Sequence, residues 1–109
     1  MDKKLGKITT AEFGMGGYQE CQVGLWLTFE GKGWGVGYGY SGGWTMVPDE
    51  HAEWTVEDQD AQYTKCIRDT VQLLEDAKVM SVSDLKGIPV EVTFERNTIN
   101  SFRILTEVL

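Results

Sequence analysis

Catalysis near neutral pH draws on a proton carrier, an activated nucleophile, a metal cage or paired carboxylates, and this sequence supplies little of each. His51 is the only histidine, flanked by Glu50 and Glu53, and no serine or cysteine adjoins it as a nucleophile. Asp49, Glu50, Glu53, Glu57 and Asp58 are oxygen donors of the kind a hard cation takes, but they lack the D-x-D-x-D-G spacing of a calcium loop. Cys21 and Cys66 belong to no C-x-x-C pattern, and one histidine is too few to complete a zinc site with them. Both are expected as free thiols. The segment Gly37-Tyr38-Gly39-Tyr40-Ser41-Gly42 matches G-x-G-x-x-G, but no helix follows it, so it does not mark a dinucleotide fold. The expectation is a non-enzymatic protein with no catalytic residue, metal or cofactor. A small hydrolase or phosphodiesterase using His51 with Glu50 or Glu53 is the enzymatic alternative.

Binding chemistry is better represented. Trp34, Tyr38, Tyr40, Trp44 and Trp54 fall within 21 residues, close to Lys32. Tryptophan and tyrosine are rigid, flat and amphipathic, so they stack on planar ligands and dominate interface hot spots. Glycine occupies positions 31, 33, 35, 37 and 39. In a strand that alternation leaves one face bare and puts Trp34, Val36, Tyr38 and Tyr40 on the other. Glycine weakens a strand, so the row implies close approach by a helix, another chain or a flat ligand; a tightly packed structural strand is the plainer explanation. Glycine-rich backbone also exposes N–H groups to anions. Lys32, Arg68, Arg96 and Arg103 are the candidate cations for a phosphate-bearing ligand.

Charge supplies a second candidate surface. The net charge is −7, and Asp49, Glu50, Glu53, Glu57, Asp58 and Asp60 place six acids and no Lys or Arg in the twelve residues 49–60. The remaining 11 acids nearly balance 10 bases, counting 17 acids in all. Such a chain is disfavoured on a nucleic-acid backbone. The acidic stretch suits a basic surface on a partner protein, or it is a solvated loop running into a helix N-terminus.

The elements that must carry these groups follow from periodicity. Leu5 to Phe13 reads as a strand, followed by a flexible Gly14-Met15-Gly16-Gly17. Gln22 to Glu30 is a second strand with Val23, Leu25, Leu27 and Phe29 on one face. Gly31-Lys32-Gly33 turns the chain into the glycine-alternating third strand. Ser41 to Glu53 reads as irregular. Thr55 and Asp58 have capping-box spacing, and Tyr63, Cys66, Ile67, Thr70, Val71, Leu74 and Ala77 form an apolar stripe at helical period, which predicts a helix over about Val56 to Ala77. Pro89 opens a fourth strand with Val90, Val92 and Phe94 on one face, Arg96-Asn97-Thr98 turns the chain, and Ile99 to Val108 forms the fifth strand, so the last two strands make a hairpin. The expectation is one α+β domain over residues 1–109: an antiparallel five-stranded sheet with one amphipathic helix packed on it, in the order βββαββ. No apolar run approaches the ~20 residues of a membrane span, and Met1–Gly6 does not read as a secretory signal. A cytoplasmic setting is expected.

The segments KITTAEFGMGGYQ (7–19), GKGWG (31–35), DLKGIPVEVTF (84–94) and SFRILTEVL (101–109) resemble a family of small proteins from bacteriophages and prophages. The resemblance brings no catalytic residues with it. It implies an accessory protein acting in the host cytoplasm, and by analogy of context a counter to host defence. Two modes follow from the candidate residues. One is sequestration of a small nucleotide-like immune signal by the aromatic strand and its cations. The other is anti-CRISPR-type inhibition of a host effector through Asp49–Asp60. A bare strand face or edge also implies a homo-oligomer.

Overall fold

The computed structural model describes residues 2–109, with Tyr18 described by its backbone alone. Five strands form one antiparallel sheet: β1 (Asp2–Gly16), β2 (Gln22–Gly31), β3 (Trp34–Trp44), β4 (Pro89–Glu95) and β5 (Thr98–Ile104). Among the described residues one α-helix, α1 (Val56–Ala77), lies between β3 and β4 in the chain, so the order is βββαββ as expected. Short 3-10 turns occupy Tyr18–Glu20, Val82–Leu85 and Thr106–Val108. The lateral strand order is β3-β2-β1-β4-β5.

The long central strand is shared between two halves. Residues 2–7 of β1 pair with β4, residues 7–16 pair with β2, and a bulge falls between Ile8 and Thr10. Bulges bend a strand and increase its twist. Here the bend folds the sheet over, so that the inner faces of the two halves meet. Phe102 of β5 touches Phe29 of β2, with ring centroids 4.6 Å apart, and also Tyr38 and Tyr40 of β3 at 5.8 and 5.4 Å. Ile8, Leu25, Leu27, Phe29, Val90, Val92 and Ile104 fill the buried interior, with Leu85 from the Val82–Leu85 turn closing it beside β1.

α1 begins where the capping-box spacing places it. The Thr55 hydroxyl accepts from the Asp58 amide at 3.2 Å, and the Asp58 carboxylate accepts from the Thr55 amide at 2.9 Å. It ends at Lys78, which takes the left-handed conformation at φ 59°. The expected apolar stripe needs correction. Cys66, Leu73 and Ala77 are buried, together with Gln59, whereas Ile67 and Val71 are 56% and 47% exposed. The helix is rolled about its axis because it packs chiefly on β3, near the end of the sheet, and needs polar side chains there to meet strand backbone.

Strand boundaries extend beyond the apolar runs. β1 begins at Asp2 and continues through Gly14-Met15-Gly16, whose backbone pairs with Gln22, Val23 and Gly24. β3 runs to Trp44, past the expected break at Ser41. Gly31 closes β2, and Gly33 sits in the turn at φ +78°, so only Gly35, Gly37 and Gly39 of the expected row alternate within the strand. β5 stops at Ile104, short of the expected Val108, because Thr106–Val108 turns as 3-10.

Candidate ligand-binding site

The aromatic residues divide by the side of the sheet they take. Leu27 pairs with Tyr38 and Phe29 with Val36, so Trp34, Val36 and Tyr38 share the inner face with the core residues of β2. A bulge at Leu25/Trp26 adds one residue to β3, and Tyr40 also turns inward, onto Phe102. Tyr38 and Tyr40 are therefore half-buried packing groups. Burial, followed by the nearby Asp69 charge, raises the Tyr40 phenol above its ordinary value.

Trp34 is placed differently. Its indole lies over Gly6 of β1 and Gly31 of β2, where a Cβ at position 6 would come within 2.8 Å of Trp34 Cζ2. A side chain at either position would displace the ring. The indole meets the Phe94 ring edge-on, with centroids 5.4 Å apart, and Lys4 Nζ stands 5.5 Å from the Phe94 centroid. Asp2, Lys4, Trp34, Gly35, Val36, Phe94 and Asn97 enclose a cleft of about 230 Å³ at this end of the folded sheet. The β4–β5 turn that supplies Asn97 also borders a more open hollow of about 320 Å³, lined by Glu95, Arg96, Thr98, Ile99 and Asn100. Arg96 and Asn97 hold positive φ (53° and 65°), which makes the turn tight.

The remaining expected site residues lie apart from this cleft or at its rim. Lys32 is exposed in the β2–β3 turn, two residues before Trp34. Arg96 is exposed in the β4–β5 turn. Arg103 points outward from β5 and is held by Glu91 at 3.1 Å and by Glu107 at 3.1 and 3.2 Å. Those hydrogen bonds raise the guanidinium pKa above its ordinary value, Glu107 first, and lower the Glu107 carboxyl. Arg68 is exposed on α1. Trp44 sits at the far end of β3, where its amide donates to Gln62 Oε1 at 3.1 Å and its carbonyl accepts from Gln59 Nε2 and the Tyr63 hydroxyl, each at 2.6 Å. Trp54 lies in the loop before α1 and is half-buried.

The acidic residues Asp49, Glu50, Glu53, Glu57, Asp58 and Asp60 are all exposed. Asp58 is occupied as the helix cap, and Asp49 accepts from the His51 amide at 2.8 Å. His51 Nε2 lies 3.4 Å from Glu50, both side chains 86% exposed. Among the described residues, no three His, Cys, Asp or Glu side chains converge as a metal site would require. Cys21 and Cys66 are free thiols, and the Cys66 thiol donates to the Ser41 carbonyl at 3.5 Å. Among the described residues, no helix is long and apolar enough to cross a membrane.

Four residues of the cleft were not singled out from sequence: Asp2, Lys4, Phe94 and Asn97. Lys4 and Asp2 lie in a segment whose apolar pattern had not yet begun, and Phe94 reads simply as the inward residue of a strand. Their common signal is alternation: residues 2, 4 and 6 take the face opposite to Leu5 and Lys7. The outer-face residue Trp26 was likewise unmarked. It spans Gly16 of β1 and Gly39 of β3, and its Nε1 donates to the Gly14 carbonyl at 3.0 Å.

No family model matches the chain, and no curated protein or solved structure is significantly similar to it. The functional reading therefore rests on the geometry of the cleft.

Proposed function

We propose that this protein binds a small, planar, anionic ligand of nucleotide type without transforming it, in the cleft that Trp34 and Phe94 line together. One observation carries the reading: two aromatic rings set edge to face with an ammonium group beside them, at the open end of a folded sheet. An aromatic wall accepts a base by stacking, worth roughly 1–3 kcal/mol per base. Lys4 supplies the cation for a phosphate, and Asp2 and Asn97 offer an acceptor and an amide to the edge of a base. At about 230 Å³ the cleft is below the ~300–1,000 Å³ of drug-sized pockets, which suits one ring system with the remainder of the ligand outside. Lys32 and Arg96, on neighbouring turns, are the rim cations for that remainder.

The setting belongs to the same proposal. A phage accessory protein in the host cytoplasm, sequestering a nucleotide immune signal, is supported by the sequence resemblance alone. The exposed carboxylates of residues 49–60 support the alternative of docking on a basic host effector.

Calorimetric titration with a panel of mononucleotides and cyclic dinucleotides tests the cleft. Wild type binds at least one member. Trp34→Ala and Lys4→Ala each weaken that binding about tenfold or more, since 1.4 kcal/mol is a factor of ten. Trp54→Ala, remote from the cleft, binds as wild type. Full affinity in a folded Trp34→Ala variant would rule the cleft out.

A further inference from the structure

The outer strand β3 ends the sheet on one side, and the side chains of α1 bond to its free edge only in the Ser41–Trp44 half. At the covered half, helix side chains stand in for a strand. Gln62 accepts from the Trp44 amide, Gln59 and Tyr63 donate to the Trp44 carbonyl, and Cys66 donates to the Ser41 carbonyl. None of these bonds reaches residues 34–39. In an antiparallel pair the residues alternate between facing the partner strand and facing away. The two-residue turn Lys32-Gly33 makes Gly31 and Trp34 a bonded pair, so the amides and carbonyls of Gly35, Gly37 and Gly39 point away from β2.

An open edge of this kind is a template for another strand, and proteins usually guard one with charge, proline or a covering element. The stretch Trp34–Trp44 contains no charged residue and no proline, in a chain of net charge −7. We infer that this edge pairs with the same edge of a second copy, antiparallel about a two-fold axis at Gly37, so that the protein is a homodimer with a sheet continuous through both subunits.

The residues match themselves in that register. Gly35 falls opposite Gly39 of the second copy, and Gly37 opposite its own counterpart, with all three sets of main-chain groups facing the partner. On the inner face Val36 meets Tyr38 and Trp34 meets Tyr40, which are β-branched–aromatic and aromatic–aromatic pairs of the favoured kind. On the outer face the row through the axis reads Thr28, Gly37, Gly37, Thr28, with nothing to clash: no atom lies within 4 Å of a Cβ placed on Gly37. Lys32 comes opposite Gly42 of the second copy, beside Ser41, whose hydroxyl donates to Asp69 at 2.9 Å. A cation therefore approaches an acidic helix, and no like charges face each other. Trp34, Gly35 and Val36 also line the cleft described above, so Tyr40 of the second copy would extend its aromatic wall.

The pairing is independent of any ligand, and its test uses the protein alone. Sedimentation equilibrium at micromolar concentration should give twice the chain mass of 12.2 kDa for wild type. Gly37→Lys sets two like charges face to face across the axis, and Gly37→Pro removes an edge N–H that an edge strand can spare. Both variants should sediment at 12.2 kDa with wild-type circular dichroism. In wild type, hydrogen exchange at the amides of Gly35, Gly37 and Gly39 should slow as concentration rises through the dimerisation range. A monomeric wild type, or a dimer whose three glycine amides exchange as fast as in the monomer, would overturn the inference. So would a dimer that persists unweakened in a folded Gly37→Lys or Gly37→Pro variant.

Discussion

Gly37 and Gly39 lie two residues apart on the same face of β3, and adding one methyl group should have opposite effects at the two positions. At Gly37 nothing lies within 4 Å of the site a Cβ would take. Gly37→Ala removes freedom from the unfolded chain and should stabilise the fold by about 0.4–1 kcal/mol. At Gly39 the same methyl would stand 2.7 Å from Cζ3 and 3.1 Å from Cε3 of Trp26. The indole has no room to slide. Its Nε1 is tied to the Gly14 carbonyl at 3.0 Å, and its opposite side already rests on Gly16, where a Cβ would meet ring atoms at 2.8 to 3.0 Å. Overpacking of this kind costs about 1–3 kcal/mol. Removing the ring removes the obstacle, so in a Trp26→Ala background Gly39→Ala should become as favourable as Gly37→Ala. The coupling between positions 26 and 39 is then the cost plus the gain, about 1.4–4 kcal/mol. Independent sites add to within roughly 0.3–0.5 kcal/mol. Urea unfolding of the four proteins of this cycle, followed by circular dichroism at one fixed concentration, measures it. Gly39→Ala at or above wild-type stability, or a coupling inside the additive range, would refute the account of why glycine stands beneath Trp26.

Two further outcomes follow from single interactions. Thr55→Ala deletes the acceptor of the capping box at the start of α1 and should cost about 1 kcal/mol in urea unfolding, while Thr55→Ser should retain most of it. Asp69 is held below the ordinary carboxylate range by its hydrogen bond from Lys65 at 2.6 Å and a second from Ser41, which outweigh slight burial. Its folded pKa lies below its unfolded one, so its contribution is complete above the unfolded value of about 3.9 and is lost as pH falls through the folded value. The urea midpoint of wild type should therefore drop more steeply below about pH 4 than that of Asp69→Asn; parallel curves would show that the pair contributes nothing.

Local pattern carried most of the fold. The helix was readable from its cap and its period because both are short-range: Thr55 and Asp58 satisfy each other, and residues three or four apart share a face. The β4–β5 hairpin was readable because Val90, Val92 and Phe94 alternate inward across a tight turn. Misread boundaries fall where backbone pairing, rather than side-chain preference, makes the strand. Gly14 to Gly16 and Asp2 to Lys4 have no strand signal, yet a partner strand's N–H and C=O groups recruit them. The helix stripe was misread for a related reason: Gln59 and Gln62 are polar, yet they face the sheet because its edge needs hydrogen bonds there.

The candidate site depended on facts that no window of sequence contains. Trp34 stood out by type, but its partner Phe94 is 60 residues away and becomes a neighbour only because β1 is shared between the two halves and bends at its bulge. The glycines, read as one row with one purpose, have several. Gly6 and Gly31 admit the indole of Trp34, Gly16 and Gly39 admit that of Trp26, and Gly43 admits α1, where a Cβ would come to 3.0 Å from Gln62 and Tyr63. Each absent side chain answers to a residue in a different strand or in the helix. Gly24 and Gly42 are kept bare by each other's strand, since a Cβ on either would strike the backbone carbonyl of Ser41 or Val23. After those seven are assigned, Gly35 and Gly37 remain exposed on β3, with Gly37 touching nothing. Internal packing therefore accounts for most of this chain's glycine and leaves unexplained the stretch of β3 whose main-chain groups face outward. That residue of unassigned, uncharged edge is what a second copy would complete.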